Sequence, residues 1–121
     1  MKKILIVDDE PDVLKVVVFR FESLGFEVFT AVDGQEALNS ARKNMPDLIL
    51  LDLRIPIKDG YEVCRELKND EKFKHIPIIF LTASGSSVNI KEKVVEYKAD
   101  DYVMKPFEFD ILFNRVERFL K

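Results

Sequence analysis

Five short runs rich in β-branched and aliphatic residues recur along the chain: KILIV from Lys3, FEVFT from Phe26, DLILL from Asp47, IPIIF from Ile76 and DYVM from Asp101. Each reads as a strand, and each gap between them has room for one helix. Apolar residues in the gaps recur at helical spacing. Val13, Leu14, Val17, Val18, Phe21 and Leu24 share a face, as do Ala37, Leu38 and Ala41. Val63 and Leu67, then Ile90, Val94 and Val95, then Leu112, Val116, Phe119 and Leu120 continue the pattern. Strict alternation of strand and helix demands crossover connections, hence a parallel sheet. Uniformly apolar runs such as Leu48 to Leu51 suit strands covered on both faces. Right-handed crossovers put helices on both faces only if the winding reverses once, and ligands bind beyond the carboxyl ends of strands at that point.

Composition narrows the setting. With 121 residues, 47% of them hydrophobic, the chain supports one core, and a single domain spanning residues 1–121 is expected. The four glycines and five prolines are dispersed, so no linker is marked. A net charge of -3 leaves no basic footprint for nucleic acid or an anionic membrane. Cys64 is the single cysteine and has no internal partner, and no apolar run approaches the roughly 18 residues of a membrane span. Asp8-Asp9-Glu10 ends the first apolar stretch too early for a signal peptide. The expected location is the cytoplasm.

The strand ends carry the chemistry. Asp8, Asp9 and Glu10 follow the first strand, Asp52 the third, Thr82 the fourth, and Lys105-Pro106 the fifth. Asp8 and Asp9 read either as helix caps ahead of Pro11 or as site carboxylates. Asp52 precedes Leu53-Arg54-Ile55-Pro56, a stretch with no helical start, so no local donor array is expected for its carboxylate. Two like charges about 4 Å apart repel by roughly 4 kcal/mol at an effective dielectric near 20. Clustered carboxylates therefore need a cation or a shared proton, and an oxygen-rich set without clustered His or Cys suits Mg²⁺. His75 and Cys64 read as structural. Lys105 by itself reads as a surface charge, but the bond to Pro106 is a candidate for the cis isomer, which would aim the ammonium back over the sheet edge. Carboxylates, a hydroxyl and an ammonium in one place match an incoming phosphoryl group.

These residues resemble the receiver domain of bacterial two-component response regulators, the CheY-like superfamily, over essentially the whole chain. The resemblance is carried by ILIVDDEP at the first strand end, DLILLDLRIP at the third, PIIFLTA at the fourth and ADDYVMKPF at the fifth. It implies a flavodoxin-like open five-stranded parallel sheet in the order 2-1-3-4-5, with five helices on both faces. It further implies that Asp52 is the phosphoacceptor, loaded by a sensor histidine kinase or phosphotransfer protein. Asp9 is implied as a direct Mg²⁺ ligand, with Asp8 acting through water or completing the acidic pocket, and the Arg54 backbone carbonyl as the third protein ligand. Thr82 is implied as the switch hydroxyl, Lys105 as the ion-pairing lysine and Tyr102 as the switch aromatic. The domain would assist its own phosphotransfer and dephosphorylation without turning over a separate substrate. The fourth helix, fifth strand and fifth helix would form the output surface, a homodimer face on activation, with no direct contact to nucleic acid or membrane.

Departures from the family pattern are Ile55, where Met commonly precedes the loop proline, and Lys98, at a helix end where the family usually has glycine. Ser84, Gly85, Ser86 and Ser87 read either as a mobile loop or as a serine cap for the fourth helix. On the fifth helix, Phe109, Phe113 and Val116, with Arg115 and Arg118, read either as core packing with solvated arginines or as a partner face. KPFEFDILFNRVERFLK also resembles receivers attached to winged-helix DNA-binding domains. Three rival functions are weaker. A Mg²⁺-dependent aspartyl phosphohydrolase of the haloacid dehalogenase type resembles D-x-D, whereas Leu53 and Arg54 follow Asp52. A nucleotide or flavin module lacks its glycine-rich loop after the first strand. A phosphorylation-independent interaction domain has no use for the full set of site residues.

Overall fold

The computed structural model describes residues 1–83 and 89–120. Ten elements alternate: β1 (Lys3–Val7), α1 (Pro11–Ser23), β2 (Glu27–Ala31), α2 (Gly34–Asn44), β3 (Leu48–Asp52), α3 (Gly60–Lys68), β4 (Ile78–Ala83), α4 (Ile90–Tyr97), β5 (Asp101–Lys105) and α5 (Phe109–Leu120). The five strands form one parallel sheet in the order β2-β1-β3-β4-β5. The winding reverses between β1 and β3, which brings the carboxyl ends of both to one crevice.

Period-two alternation divides each strand between two cores. Leu5, Val7, Ile49, Leu51 and Phe80 face α2 and α3, with Ile90, Val94 and Tyr97 of α4 packed on the same side. Ile4, Ile6, Leu48, Leu50 and Ile79 face α1 and α5. β3 is buried along its whole length, as expected of the central strand of a sheet covered on both faces. On the α1–α5 side Phe21, fully buried, meets Phe26 and Phe109 edge to face, with ring centroids 5.5 and 4.9 Å apart. Phe113 packs into the same cluster. The aromatic stripe of α5 is thus core. Arg115 is not simply solvated: it pairs with Asp101 Oδ1 at 3.1 Å and donates to the Tyr102 carbonyl at 3.0 Å.

Two residues depart from the periodicity. Leu24 lies beyond the end of α1, where the chain turns through Gly25 at φ +93°, and its side chain is half exposed. Val95 is 77% exposed because α4 turns Ile90, Val94 and Tyr97 inward, and a residue beside Val94 sits about 100° round the helix. Lys98 does adopt the left-handed conformation expected where the family has glycine, with φ +62°.

Local chemistry sets the helix starts near the crevice. Pro11 opens α1. Asp33 caps α2 through the Glu36 N–H at 2.8 Å, and Asp59 caps α3 through the Glu62 N–H at 3.0 Å. Both caps are followed by glycine for want of space. A Cβ on Gly60 would lie 2.6 Å from the Asp52 carbonyl oxygen, and one on Gly34 would collide with the Lys58 backbone. At the opposite edge the Lys68 ammonium is buried among the Ile76 carbonyl, the Lys74 carbonyl and Asp100 Oδ2. The same Asp100 oxygen accepts from the Ile78 N–H, anchoring the start of β4. Among the described residues, no helix is long and apolar enough to cross a membrane.

Candidate phosphoryl and metal site

Asp8 leaves the end of β1 fully buried, its N–H bonded to the Ala31 carbonyl at 3.1 Å. Its Oδ1 accepts from the Glu10 N–H at 2.9 Å. Asp52, the last residue of β3 and 6% exposed, repeats the device: its Oδ1 accepts from the Arg54 N–H at 3.0 Å. Each aspartate folds onto the backbone two residues on, which fixes its rotamer and leaves Oδ2 facing the crevice. One expectation is thereby corrected and one open alternative is decided. Asp52 does have a local donor, because the chain after β3 turns tightly enough to present the Arg54 amide. Asp8 is not a helix cap, since the capping position of α1 is Glu10, whose side chain makes no cap hydrogen bond.

Lys105 closes the group from the end of β5. The Lys105–Pro106 bond is cis, as the sequence suggested. Lys105 Nζ donates to Asp8 Oδ2 at 2.7 Å, to Asp52 Oδ2 at 3.0 Å and to Glu10 Oε1 at 3.0 Å. An ammonium has three protons, so all of them are engaged. One oxygen each of Asp8, Glu10 and Asp52 lie within 4.8 Å of one another. Asp9 is exposed and lies outside this convergent set.

Burial dominates the electrostatics at Asp52 and raises its pKa above the ordinary carboxylate value, although the Arg54 amide and Lys105 both pull it down. At Lys105 burial alone would lower the pKa, but its hydrogen bonds to Asp8, Asp52 and Glu10 together outweigh that and hold the ammonium firmly protonated. Unlike charges at 3 Å attract by about 5.5 kcal/mol at a dielectric of 20, and like charges at 4.8 Å repel by about 3.5 kcal/mol. One ammonium among three carboxylates holds the group together yet leaves it anionic. A further hard cation fits this set of oxygen donors, and Mg²⁺ commonly binds through one or two carboxylates plus a phosphate.

A cleft of about 280 Å³ opens beside Asp52, lined by Arg54, Asp59, Tyr61, Thr82 and Ala83. Thr82 is 6% exposed and lies in the register position next to the Asp52–Leu81 pair. Tyr102, half buried on β5 opposite Phe80, packs against the α2–α3 core. The structure therefore brings together Asp8, Asp52, Lys105 and Thr82, with Arg54 at the rim. Ser84, Gly85, Ser86 and Ser87 lie outside the described residues. His75 is exposed, and Cys64 is buried with its thiol pushed up to about 12 by desolvation.

Sequence reasoning gave no role to Glu10, Tyr61 or Gly60. Glu10 was hidden because an acid beside a helix start is common for macrodipole reasons alone. A signal for Gly60 was present in the repeated Asp-Gly-x-Glu of Asp33 to Glu36 and Asp59 to Glu62, two capped helix starts pressed against backbone.

With this geometry in place, comparison with known proteins is direct. The sequence profile of the response regulator receiver domain matches residues 4–117. The chain is 40% identical over 123 residues to the DNA-binding dual master transcriptional regulator RpaA of Synechocystis, covering 100% of this chain and 50% of that protein. It spans about half the length of the curated relatives it matches. The chemotaxis response regulator CheY4 of Vibrio cholerae superposes with a TM-score of 0.90 at 31% identity, covering 98% of each chain. The receiver domain of the sensor histidine kinase PA1611 of Pseudomonas aeruginosa superposes with a TM-score of 0.87 at 35% identity, covering 98% of this chain and 96% of that one. That structure holds a magnesium ion in its active-site cleft. Receiver domains are signalling modules rather than enzymes in the ordinary sense, and they bind Mg²⁺ at an acidic cluster. The chain belongs to the response regulator receiver domain family, the phosphoacceptor module of two-component signalling.

Proposed function

We propose that Asp52 is the phosphoacceptor of this domain and that residues 1–121 act as one receiver unit. The observation that carries this reading is one ammonium, Lys105 Nζ, bonded at once to Asp52 Oδ2 and Asp8 Oδ2, with Asp52 also lining the cleft that Thr82 lines. A carboxylate oxygen of Asp52 attacks the phosphorus of a donor phosphohistidine. The P–O bond forms, the P–N bond breaks, and the imidazole leaves. Lys105 meets the charge gathering on the phosphoryl oxygens, and the Arg54 amide keeps the aspartate aimed into the cleft. Asp52, the Arg54 carbonyl and Asp8, the last directly or through water, would hold Mg²⁺, and Asp9 would join them by turning its exposed carboxylate into the crevice. The ion would neutralise phosphoryl oxygens.

Partner and output follow from the surroundings. Beside Lys105 an apolar cleft of about 610 Å³ runs along α1, lined by Val13, Val16, Val17, Pro106 and Phe107. It offers a seat for the kinase or phosphotransfer protein whose phosphohistidine must reach Asp52. After phosphorylation the Thr82 hydroxyl turns to a phosphoryl oxygen, Tyr102 takes up the space released, and the α4–β5–α5 surface changes, with homodimerisation as one consequence. Relatives named as transcriptional regulators are about twice as long, so the proposed output is control of an attached effector rather than DNA binding by this domain. A cytoplasmic location fits this role.

The test uses Mg²⁺ and a small phosphoryl donor, with intact-mass detection. One added phosphoryl group is expected on the wild-type protein and none on Asp52→Asn. Uptake that survives Asp52→Asn, or turnover of a generic phosphate ester, contradicts the reading.

A further inference from the structure

We propose that Glu10 is a positioning residue that competes with the incoming phosphoryl group for the Lys105 ammonium, and so sets how readily the site accepts it. This rests on the phosphoacceptor reading above. Lys105 Nζ already gives its three protons to Asp8, Asp52 and Glu10, at 2.7, 3.0 and 3.0 Å. A phosphoryl oxygen can take a proton from Lys105 only if one carboxylate releases it.

The three partners differ in what release requires. The Asp8 side chain is fully buried and its other oxygen is committed to the Glu10 amide, so freeing it would leave a buried charge without a partner. Asp52 Oδ2 loses its hold on Lys105 only as it becomes the bridging oxygen of the acyl phosphate, too late to serve the incoming group, while Oδ1 stays on the Arg54 amide. The Glu10 side chain is 59% exposed and makes no cap hydrogen bond, so it can return to water at little cost. Glu10 is therefore the partner that yields. Its remaining charge also opposes an anion entering the mouth of the site. The neighbouring helices show that this carboxylate is used unusually. Asp33 and Asp59 spend theirs on the first turns of α2 and α3, whereas Glu10 holds the lysine of another element.

Beryllofluoride, which adds to a carboxylate oxygen as a phosphoryl mimic, separates these effects when titrated at saturating Mg²⁺, with saturation established for each protein. Glu10→Gln removes the charge. Glu10→Asp keeps the charge but draws the carboxylate back from Lys105. Competition for the ammonium predicts tighter beryllofluoride binding in both variants, by about 3- to 10-fold. Equal or weaker binding in either variant overturns the proposal: a gain confined to Glu10→Gln would assign the effect to charge alone. A purely structural Glu10, acting on the start of α1, would shift the unfolding midpoint and leave the beryllofluoride affinity unchanged, which also overturns it. No uptake by the wild-type protein would remove the phosphoacceptor reading and this inference together, whereas equal uptake by all three proteins removes the inference alone.

Discussion

Asp52 carries a burden that its neighbours only partly relieve. Burial raises its pKa, and the Arg54 amide and Lys105 offset that without cancelling it. A carboxyl whose pKa is raised on folding adds stability that is fully present below the unfolded-state value, near 3.9, and is lost as pH rises through the higher folded value. Ionised Asp52 therefore weighs against the metal-free fold at neutral pH. Asp52→Asn is expected to raise the unfolding midpoint of the metal-free protein at pH 7, with the gain shrinking as pH is lowered through the carboxylate range. Thermal melts in a chelating buffer check this, and an unchanged or lower midpoint at pH 7 contradicts it. The position of Asp52 was legible in the sequence because an acid directly after an apolar strand has few structural uses. Its bond to the Arg54 amide was not, because a turn two residues long leaves no periodic trace.

Two glycine-dependent positions show how elements are held around the site. Gly60 opens α3 so close to β3 that a Cβ would meet the Asp52 carbonyl oxygen at 2.6 Å and the Leu53 Cα at 2.8 Å. Gly60→Ala must move backbone beside the phosphoacceptor. A loss of about 1–3 kcal/mol in denaturant melts is expected, together with slower phosphoryl uptake. Lys98 is the converse case, a side chain in a conformation that glycine adopts freely, with φ +62° at the end of α4. Lys98→Gly is expected to stabilise the domain by up to about 1 kcal/mol and to leave phosphoryl uptake unchanged, as denaturant melts and the uptake assay would show. Element order was readable from spacing and residue type, and the left-handed Lys98 from the family resemblance, whereas Asp52, Thr82 and Lys105, read as following their strands, lie within the ends of β3, β4 and β5. Leu24 and Val95 were misplaced because a helical wheel does not register where a helix stops or which of two adjacent valines faces in.

Across the whole molecule the anchoring of the helices is uneven. α5 buries Leu112 and Val116 and adds Phe109 and Phe113 to the aromatic cluster around Phe21. α4 buries no residue completely. It is fastened by half-buried Ile90, Val94 and Tyr97, and by the Tyr61–Tyr97 ring contact at 4.8 Å. Tyr61 also lines the Asp52 cleft, so the least anchored helix touches the wall of the site. Amides of α4 are expected to exchange with solvent at least about tenfold faster than those at the centre of α5, measured by native-state hydrogen exchange. Equal protection would remove α4 as the mobile part of the output surface.

The central claim concerns one oxygen–phosphorus bond, and borohydride reduction after phosphoryl transfer tests it most directly, since hydride converts an aspartyl phosphate to homoserine. The account predicts homoserine at position 52, formed only when Mg²⁺ and donor are both supplied. Homoserine at position 8 or 9 instead, or at no position despite phosphoryl uptake, would contradict it.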